Sequence, residues 1–245
     1  MTPAAGKVRD EYEIVSLRFS PSAGRAFGYG VEHFSASNGA AYDVNLAQYF
    51  FLRARALDPN YPYVNHELAR ISFLRGELDA ALTDIDLQIS EHGDSEPNAY
   101  YVRGLIEGYK GDYPAAVADY AHFLTFDPHN WAAINDYAWV LLKAQDYDTA
   151  RAVTSSGLQY FPDNAWLLNS YATALFETGD LQGALSVAKR AQVAAGKVTM
   201  AEWLQAYPGN DPGVAAQGVA ALQNATADNI HNIELKLASS TVQSN

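Results

Sequence analysis

Residues 134–142 read Ile-Asn-Asp-Tyr-Ala-Trp-Val-Leu-Leu, and residues 168–176 read Leu-Asn-Ser-Tyr-Ala-Thr-Ala-Leu-Phe. In both stretches an apolar residue, a tyrosine, an alanine and a leucine stand at the same offsets. Offsets of three and four residues place side chains on one face of an α-helix. The two stretches therefore predict two equivalent helices of a repeated unit.

The same spacing extends over much of the chain. In four successive units a small residue is followed twelve positions later by an alanine, at Ala69 and Ala81, Gly104 and Ala116, Ala138 and Ala150, and Ala172 and Ala184. A turn lies between the two members of each pair, at residues 76–78, 111–113, 145–147 and 179–181. This order predicts antiparallel helix pairs, because small residues permit the close approach of two helices where they cross.

These units resemble the tetratricopeptide repeat family, whose period is about 34 residues. The resemblance rests on the small residues and on Pro128 and Pro162, which stand where each unit ends. It implies an all-α fold, an α-solenoid of about five antiparallel helix pairs that form a superhelix with C-terminal capping helices.

The repeat phase divides the chain into three parts. We expect residues 1–21 to be an extended N-terminal lead-in and residues 22–198 to form five repeats. The first repeat is degenerate, with extra residues around 35–43, a loop composition that sometimes carries function. Residues 199–245 are expected to form capping helices and a tail, the first of them beginning at a capping box of Thr199 and Glu202.

Composition restricts the class of partner. The 245 residues include 28 acidic and 16 basic side chains, which gives a formal net charge of −12, and the only neighbouring basic residues are Lys189 and Arg190. Nucleic acid is not an expected partner, because its phosphates require a basic stripe. No segment has the roughly 20 apolar residues of a membrane span, so direct membrane insertion is not expected. A cytoplasmic protein and the soluble part of an exported or membrane-anchored parent both remain open.

Motifs of catalysis or metal binding are incomplete in this chain. His66 and Glu67 begin a zinc-protease pattern, but its second histidine is replaced by Arg70, which is not a zinc ligand. There is no cysteine to supply a thiolate, a disulfide or an iron–sulfur ligand. We therefore assign no catalytic, cofactor-binding or metal-binding residue, and we expect a protein that is not an enzyme.

In tetratricopeptide repeat proteins the first helix of each pair lines a concave groove that holds peptides or extended protein segments. By this resemblance the groove residues are Tyr63, His66, Arg70, Phe73, Tyr101, Tyr109, Asn135, Trp139, Lys143, Trp166, Asn169 and Phe176. Most are aromatic, and Tyr101, Trp139 and Trp166 are expected to form a ladder of successive rungs. Each aromatic side chain has an alternative role, which is to pack between neighbouring repeats.

The sequence thus predicts a noncatalytic scaffold that binds a protein or an extended peptide through a concave aromatic groove. Two alternatives remain open. One is a self-associating structural protein, for example a homodimer formed through Val214–Leu222. The other is a regulatory subunit of an enzyme or of an envelope complex.

Overall fold

The computed structural model describes residues 3–207 and 209–243. This part of the chain contains no β-strand and forms thirteen α-helices, so the predicted all-α class is confirmed. The helices are α1 (Pro3–Phe19), α2 (Ala23–Phe34), α3 (Val44–Leu57), α4 (Val64–Leu74), α5 (Leu78–His92), α6 (Asn98–Lys110), α7 (Tyr113–Phe126), α8 (Trp131–Lys143), α9 (Tyr147–Tyr160), α10 (Ala165–Glu177), α11 (Leu181–Ala195), α12 (Met200–Ala206) and α13 (Ala215–Gln243).

Helices α2 to α11 are five consecutive helix pairs, as the repeat predicts. The recurrent alanines have no exposed surface, which places each of them where helices meet. They are Ala69, Ala81, Ala116, Ala138, Ala150, Ala172 and Ala184. A larger side chain at such a crossing has to push the helices apart, so these positions determine which face of each helix turns inward.

The turns inside the later pairs share one backbone conformation. Gly111 and Gly179 have positive φ angles of 87° and 86°, and Gln145 adopts the same left-handed region with φ 62°. An aspartate follows each of these residues and caps the second helix of its pair. For example, the Asp146 side chain accepts a hydrogen bond from the backbone N–H of Thr149. This cap satisfies a backbone donor that otherwise lacks a partner at the start of a helix.

The described chain divides into two compact units. The first comprises residues up to Ile106 together with Tyr207–Val214, and the second comprises Glu107–Ala206 together with the residues from Ala215 onward. Helix α6 runs across this division. None of the described helices is long and apolar enough to cross a membrane.

In the first unit, the expected extended lead-in is wrong for the described residues, because Pro3–Phe19 form helix α1. The inward positions of this segment have helical spacing. Glu13 and Leu17, four residues apart, are both almost fully buried. Ile14 packs against the same apolar cluster as Leu17, which includes Phe50 of α3.

A buried polar contact fastens α1 to α2. Glu13 Oε2 lies 2.7 Å from His33 Nε2, and both side chains are almost fully buried. The other imidazole nitrogen, Nδ1, lies 2.9 Å from the carbonyl oxygen of Ala41. Arg9 Nε is 3.4 Å from the second carboxylate oxygen of Glu13. The Glu13 carboxylate is therefore surrounded by nitrogen partners in a place that water does not reach.

Glu13→Ala removes one partner of this buried pair and leaves His33 unsatisfied. Breaking a buried pair on one side typically costs about 3–5 kcal/mol, so we expect the free energy of unfolding to fall by about 3 kcal/mol. Urea denaturation followed by circular dichroism measures the change. Glu11→Ala is the matched control, since Glu11 is exposed on the same helix. Equal unfolding midpoints for the two variants would show that the contact does not hold α1.

In the second unit, α12 and α13 cover the last repeat. The capping box is present: the backbone N–H of Thr199 donates to Glu202 Oε2 at 2.8 Å, and the N–H of Glu202 donates to Thr199 Oγ1 at 3.2 Å. Helix α13 places Ile233 in the apolar cluster formed by α10 and α11. Its Gly218 adjoins Trp203 of α12 so closely that any side chain at position 218 overlaps the indole ring.

The segment considered for self-association contributes to this covering layer. Leu222, on α13, packs against Ala165 and Ala195 and is mostly buried. Leu222, the last residue of the Val214–Leu222 segment, is therefore engaged within the second unit.

Candidate functional site

The groove positions of the first unit lie mainly on α4, and they differ in how much surface they leave open. Tyr63 directly precedes the helix and contacts the ring of His66 edge-on, with ring centroids 6.0 Å apart. His66 is mostly buried, and its Nδ1 lies 3.2 Å from Glu67 Oε1, whereas its Nε2 has no hydrogen-bond partner. Phe73 and Tyr101 are half-buried and pack against the cluster around Ile85. These two aromatic side chains thus contribute to the core.

Arg70 is the charged centre of this surface. Its Nη1 donates to Glu67 Oε2 at 2.7 Å, and its guanidinium lies over the Phe34 ring at 4.9 Å. Burial alone raises the pKa of Glu67, but Arg70 and His66 outweigh this effect and hold that pKa below its ordinary value. The Glu67 carboxylate is therefore kept in its charged form next to a guanidinium and an aromatic ring.

A segment of the chain itself lies on this surface. Gly209, from Tyr207–Val214, is buried, and a Cβ atom at this residue would stand 2.8 Å from Arg70 Nη2 and 3.1 Å from Phe34 Cζ. Its carbonyl oxygen accepts a hydrogen bond of 2.6 Å from the Tyr42 hydroxyl. Burial, and then Asp211, raise the pKa of Tyr42 to about 12, although Arg70 acts in the opposite direction.

Three elements form the surface that contacts Gly209, which we call the seat of this segment. Phe34 belongs to α2 and Arg70 to α4, the first helices of two successive pairs, and Tyr42 follows the 3-10 turn Ala36–Ala41 in the inserted loop. The extra residues of the first repeat thus supply the hydroxyl that binds the backbone of Gly209. First-helix residues and the insertion together hold a short piece of polypeptide.

In the second unit, Tyr109 and Trp139 form an open aromatic pair. Their ring centroids are 5.2 Å apart, and 62% of Tyr109 is exposed. A Cβ atom at Gly108 would stand 2.8 Å from the Trp139 ring, so the glycine allows the indole to lie close to α6. Burial and the charge of Asp136 raise the pKa of Tyr109, which keeps its hydroxyl neutral. Lys143 is exposed at the end of the same helix as Trp139.

The remaining amide and phenyl positions join helices to one another. Asn135 Oδ1 accepts a hydrogen bond of 2.9 Å from the hydroxyl of Ser170. Asn169 Oδ1 accepts one of 2.8 Å from the Asn229 amide, so α13 covers this position. Phe176 packs against the cluster of α10, α11 and α13. The side chains of Asn135, Asn169 and Phe176 therefore contact other residues of the second unit.

Trp166 lines an open cleft of about 690 Å³. Its ring lies 5.1 Å from that of Trp131, at the start of α8, and α11 forms the opposite wall. We call this space the Trp131–Trp166 cleft. Its main residues are Trp131, Trp166, Lys189, Arg190, Val193 and Lys197.

Comparison with known proteins agrees with this architecture. Residues 141–207 match the family model for the tetratricopeptide repeat. This part of the chain is similar to tetratricopeptide repeat sequences, and the repeated helix pairs of the structure agree with that similarity. No curated protein matches the sequence.

Three solved structures illustrate the shared fold. A tetratricopeptide repeat protein from Parabacteroides merdae is 18% identical, with a TM-score of 0.61, and the match covers 89% of this chain and 91% of that chain. A MamA protein is 16% identical, with a TM-score of 0.58 and coverages of 71% and 94%. MamA from Desulfovibrio magneticus RS-1 is 17% identical, with a TM-score of 0.52 and coverages of 73% and 96%. At these identities the likeness is one of fold.

The expected ladder differs from the arrangement in the structure. Trp139 is the ninth residue of α8 and Trp166 is the second of α10. Seven residues of helix correspond to about 10 Å along the axis, so the two indoles stand at different heights. Each has another ring partner, Tyr109 for Trp139 and Trp131 for Trp166. Two separate aromatic pairs therefore replace a continuous series.

Sequence reasoning missed Trp131 and the cations of the cleft. Trp131 precedes Trp166 by about one repeat, so the repeat period by itself indicates that the two residues hold equivalent positions. Lys189 and Arg190 are the only neighbouring basic residues, but they lie on a second helix, outside the expected groove. The repeat phase assigns binding to first helices, so it does not find a site at helix ends.

One group in the described residues combines side chains that can ligate a metal. Ligand atoms of Asp10, Glu13 and His33 lie within 4.8 Å of one another. Arg9 contacts both carboxylates, with Nη2 only 2.8 Å from Asp10. A guanidinium already provides the positive charge there, so we interpret the group as the polar fastening of α1.

Gly209→Val tests how the Tyr207–Val214 segment is held. Gly209 has a φ of 95°, which strains any side chain, and valine also collides with Arg70 and Phe34. A backbone strain of about 1–3 kcal/mol makes exchange of the segment's amide hydrogens faster by about 5-fold to 150-fold. Hydrogen–deuterium exchange read by mass spectrometry measures this rate. Gly28→Val is the control, because its Cβ atom meets nothing within 4 Å; unchanged exchange in Gly209→Val would contradict the seat.

Proposed function

We propose that this protein is a noncatalytic scaffold that binds a protein or an extended peptide on the first helices of its repeats. The observation that carries the proposal is the seat of Tyr207–Val214. There a tyrosine hydroxyl binds a backbone carbonyl, and an arginine and a phenylalanine close around a glycine. Backbone hydrogen bonds and shaped apolar contacts are the means by which peptides are generally recognised.

The open aromatic pair of the second unit supports the same function. Tyr109 and Trp139 offer a large apolar area, and each has a polar tip that can bind a peptide backbone. Tyrosine and tryptophan are also the residue types that contribute most to protein interfaces. Exposed aromatic surface on first helices is therefore best explained by an external partner.

The titratable groups of the first unit fit a structural use. The His66 ring contacts the Glu67 carboxylate, which in turn accepts a hydrogen bond from Arg70. The backbone N–H of His66 also donates a hydrogen bond of 3.0 Å to the Gln88 side chain on α5. The carboxylate of Glu67 is held charged by its neighbours. An ion pair fixed in this way positions Arg70 for binding, and this role requires no reaction.

The double variant Tyr109→Ala and Trp139→Ala tests the proposal. Cross-linking in an extract of the source organism, followed by mass spectrometry, identifies the partner, and its affinity is then measured with purified components. Loss of an aromatic anchor costs about 2 kcal/mol or more, so we expect affinity to fall by about 30-fold or more.

Phe126→Ala is the matched control for that experiment. Phe126 is a partly exposed aromatic residue of the same unit but lies on α7, a second helix. We expect its affinity to stay within about twofold of the parent. If the double variant folds and binds the partner as tightly as Phe126→Ala, the first helices do not form the binding surface.

A specific observation favours self-association as a second candidate function. Val8, Tyr12, Val15 and Phe19 are spaced by four, three and four residues on α1, and each is between 46% and 83% exposed. This spacing places all four on one face of the helix. An apolar stripe of this kind on a terminal helix is suited to pairing with a second copy.

Tyr12→Ser combined with Phe19→Ser tests this candidate. Removal of the two largest apolar side chains of the stripe is expected to turn a dimer into a monomer, as measured by light scattering during size-exclusion chromatography. Leu52→Ser is the control, since Leu52 is an exposed apolar residue of the same unit on α3. If the parent protein is a monomer at about 100 μM, the stripe does not mediate self-association in this chain.

A further inference from the structure

The Trp131–Trp166 cleft combines apolar and cationic walls in a protein that is strongly acidic overall. Trp131 and Trp166 belong to the starts of α8 and α10, and Val193 of α11 is exposed in the opposite wall. Lys189 and Lys197 stand on either side of Val193 along the chain. An apolar centre between two cations is the main chemical feature of this space.

The two lysines have no carboxylate partner among the described residues. Arg190, in contrast, donates to the carbonyl oxygen of Pro162 at 2.8 Å and lies 4.0 Å from Asp163. The other acidic residue of the lining, Glu202, uses its carboxylate in the capping box with Thr199. Lys189 and Lys197 therefore present uncompensated positive charge to the cleft.

The spacing of these side chains defines what fits between them. Lys189, Val193 and Lys197 follow one another at intervals of four residues, so they lie along one side of α11 and its C-terminal turn. At about 1.5 Å per residue along α11 and the turn that follows it, the interval from Lys189 to Lys197 spans about 12 Å. An extended peptide advances about 3.3 Å per residue, and its alternate side chains point to the same side. Residues one, three and five of such a peptide thus match the three positions.

We propose that this cleft binds an extended acidic segment of a partner protein, with the pattern acid–x–apolar–x–acid. The two carboxylates contact Lys189 and Lys197, and the apolar side chain enters between Val193 and the indoles of Trp131 and Trp166. The inference rests on the proposed scaffold function and names a partner class for it. Charge complementarity selects the acids, and the aromatic walls select the apolar residue between them.

The probe for this site is the peptide acetyl-Glu-Ser-Phe-Ser-Glu-amide. Titration is followed in nitrogen–proton correlation spectra, in which each tryptophan gives one indole N–H signal. We expect the signals of Trp131 and Trp166 to shift, and those of Trp139 and Trp203 to stay within the noise. Binding is expected to weaken as salt is added, because the lysines are exposed.

Reversal of the charges on the two lysines and on the peptide makes the test specific. Lys189→Glu with Lys197→Glu is expected to weaken binding of the glutamate peptide at least tenfold. The same variant is expected to bind acetyl-Lys-Ser-Phe-Ser-Lys-amide, which the parent does not bind. The matched control is Arg151→Glu with Lys236→Glu, which changes two exposed basic residues of the same unit outside the cleft. This control alters the net charge equally, and we expect it to retain binding within about twofold.

Several results would overturn the proposal. One is an absence of shifts at Trp131 and Trp166 with millimolar peptide. A second is an equal loss of binding in the control variant, which would indicate general charge attraction. A third is equal binding of a peptide with alanine in place of phenylalanine, which would leave anion binding only. If the peptide does not bind to the cleft while Tyr109 and Trp139 still determine partner affinity, the scaffold function stands and only the cleft assignment is wrong.

Discussion

The close crossing of helices at a small residue is the constraint on which the rest of this structure depends. Ala138, Ala150, Ala172 and Ala184 have no exposed surface, because each stands where two helix backbones approach. A fixed crossing point determines the rotation of each helix about its axis. That rotation decides which side chains turn inward and which remain on the surface. The location of every candidate binding residue follows from it.

The surface left open by this packing is used in two ways. Some positions at the groove phase join helices, as Asn169 does by accepting a hydrogen bond from Asn229. Others stay exposed, as Tyr109 does beside Trp139. Equal spacing in the sequence therefore does not imply equal exposure, because a neighbouring helix can cover one repeat and leave another free.

The candidate binding surfaces of the two units differ in their chemistry. In the first unit, Tyr42 and Arg70 surround the backbone of Gly209, so shape and a single hydrogen bond dominate. In the second unit, the cleft offers indole faces together with two lysines that have no carboxylate partner among the described residues. These are the two kinds of surface on which the proposed scaffold function rests.

The sequence by itself determined the features that arise between residues close in the chain. These include the helix pairs, the caps at Asp112, Asp146 and Asp180 and the capping box of Thr199 and Glu202, since all depend on contacts within a few residues or on a regular period. Only the tertiary structure decided that α1 is helical, that Trp131 meets Trp166 and that Tyr42 binds Gly209. The last two residues are 167 positions apart, and no local period links them. Side chains distant in sequence meet through packing of whole helices, so the open surfaces emerge only when that packing is known.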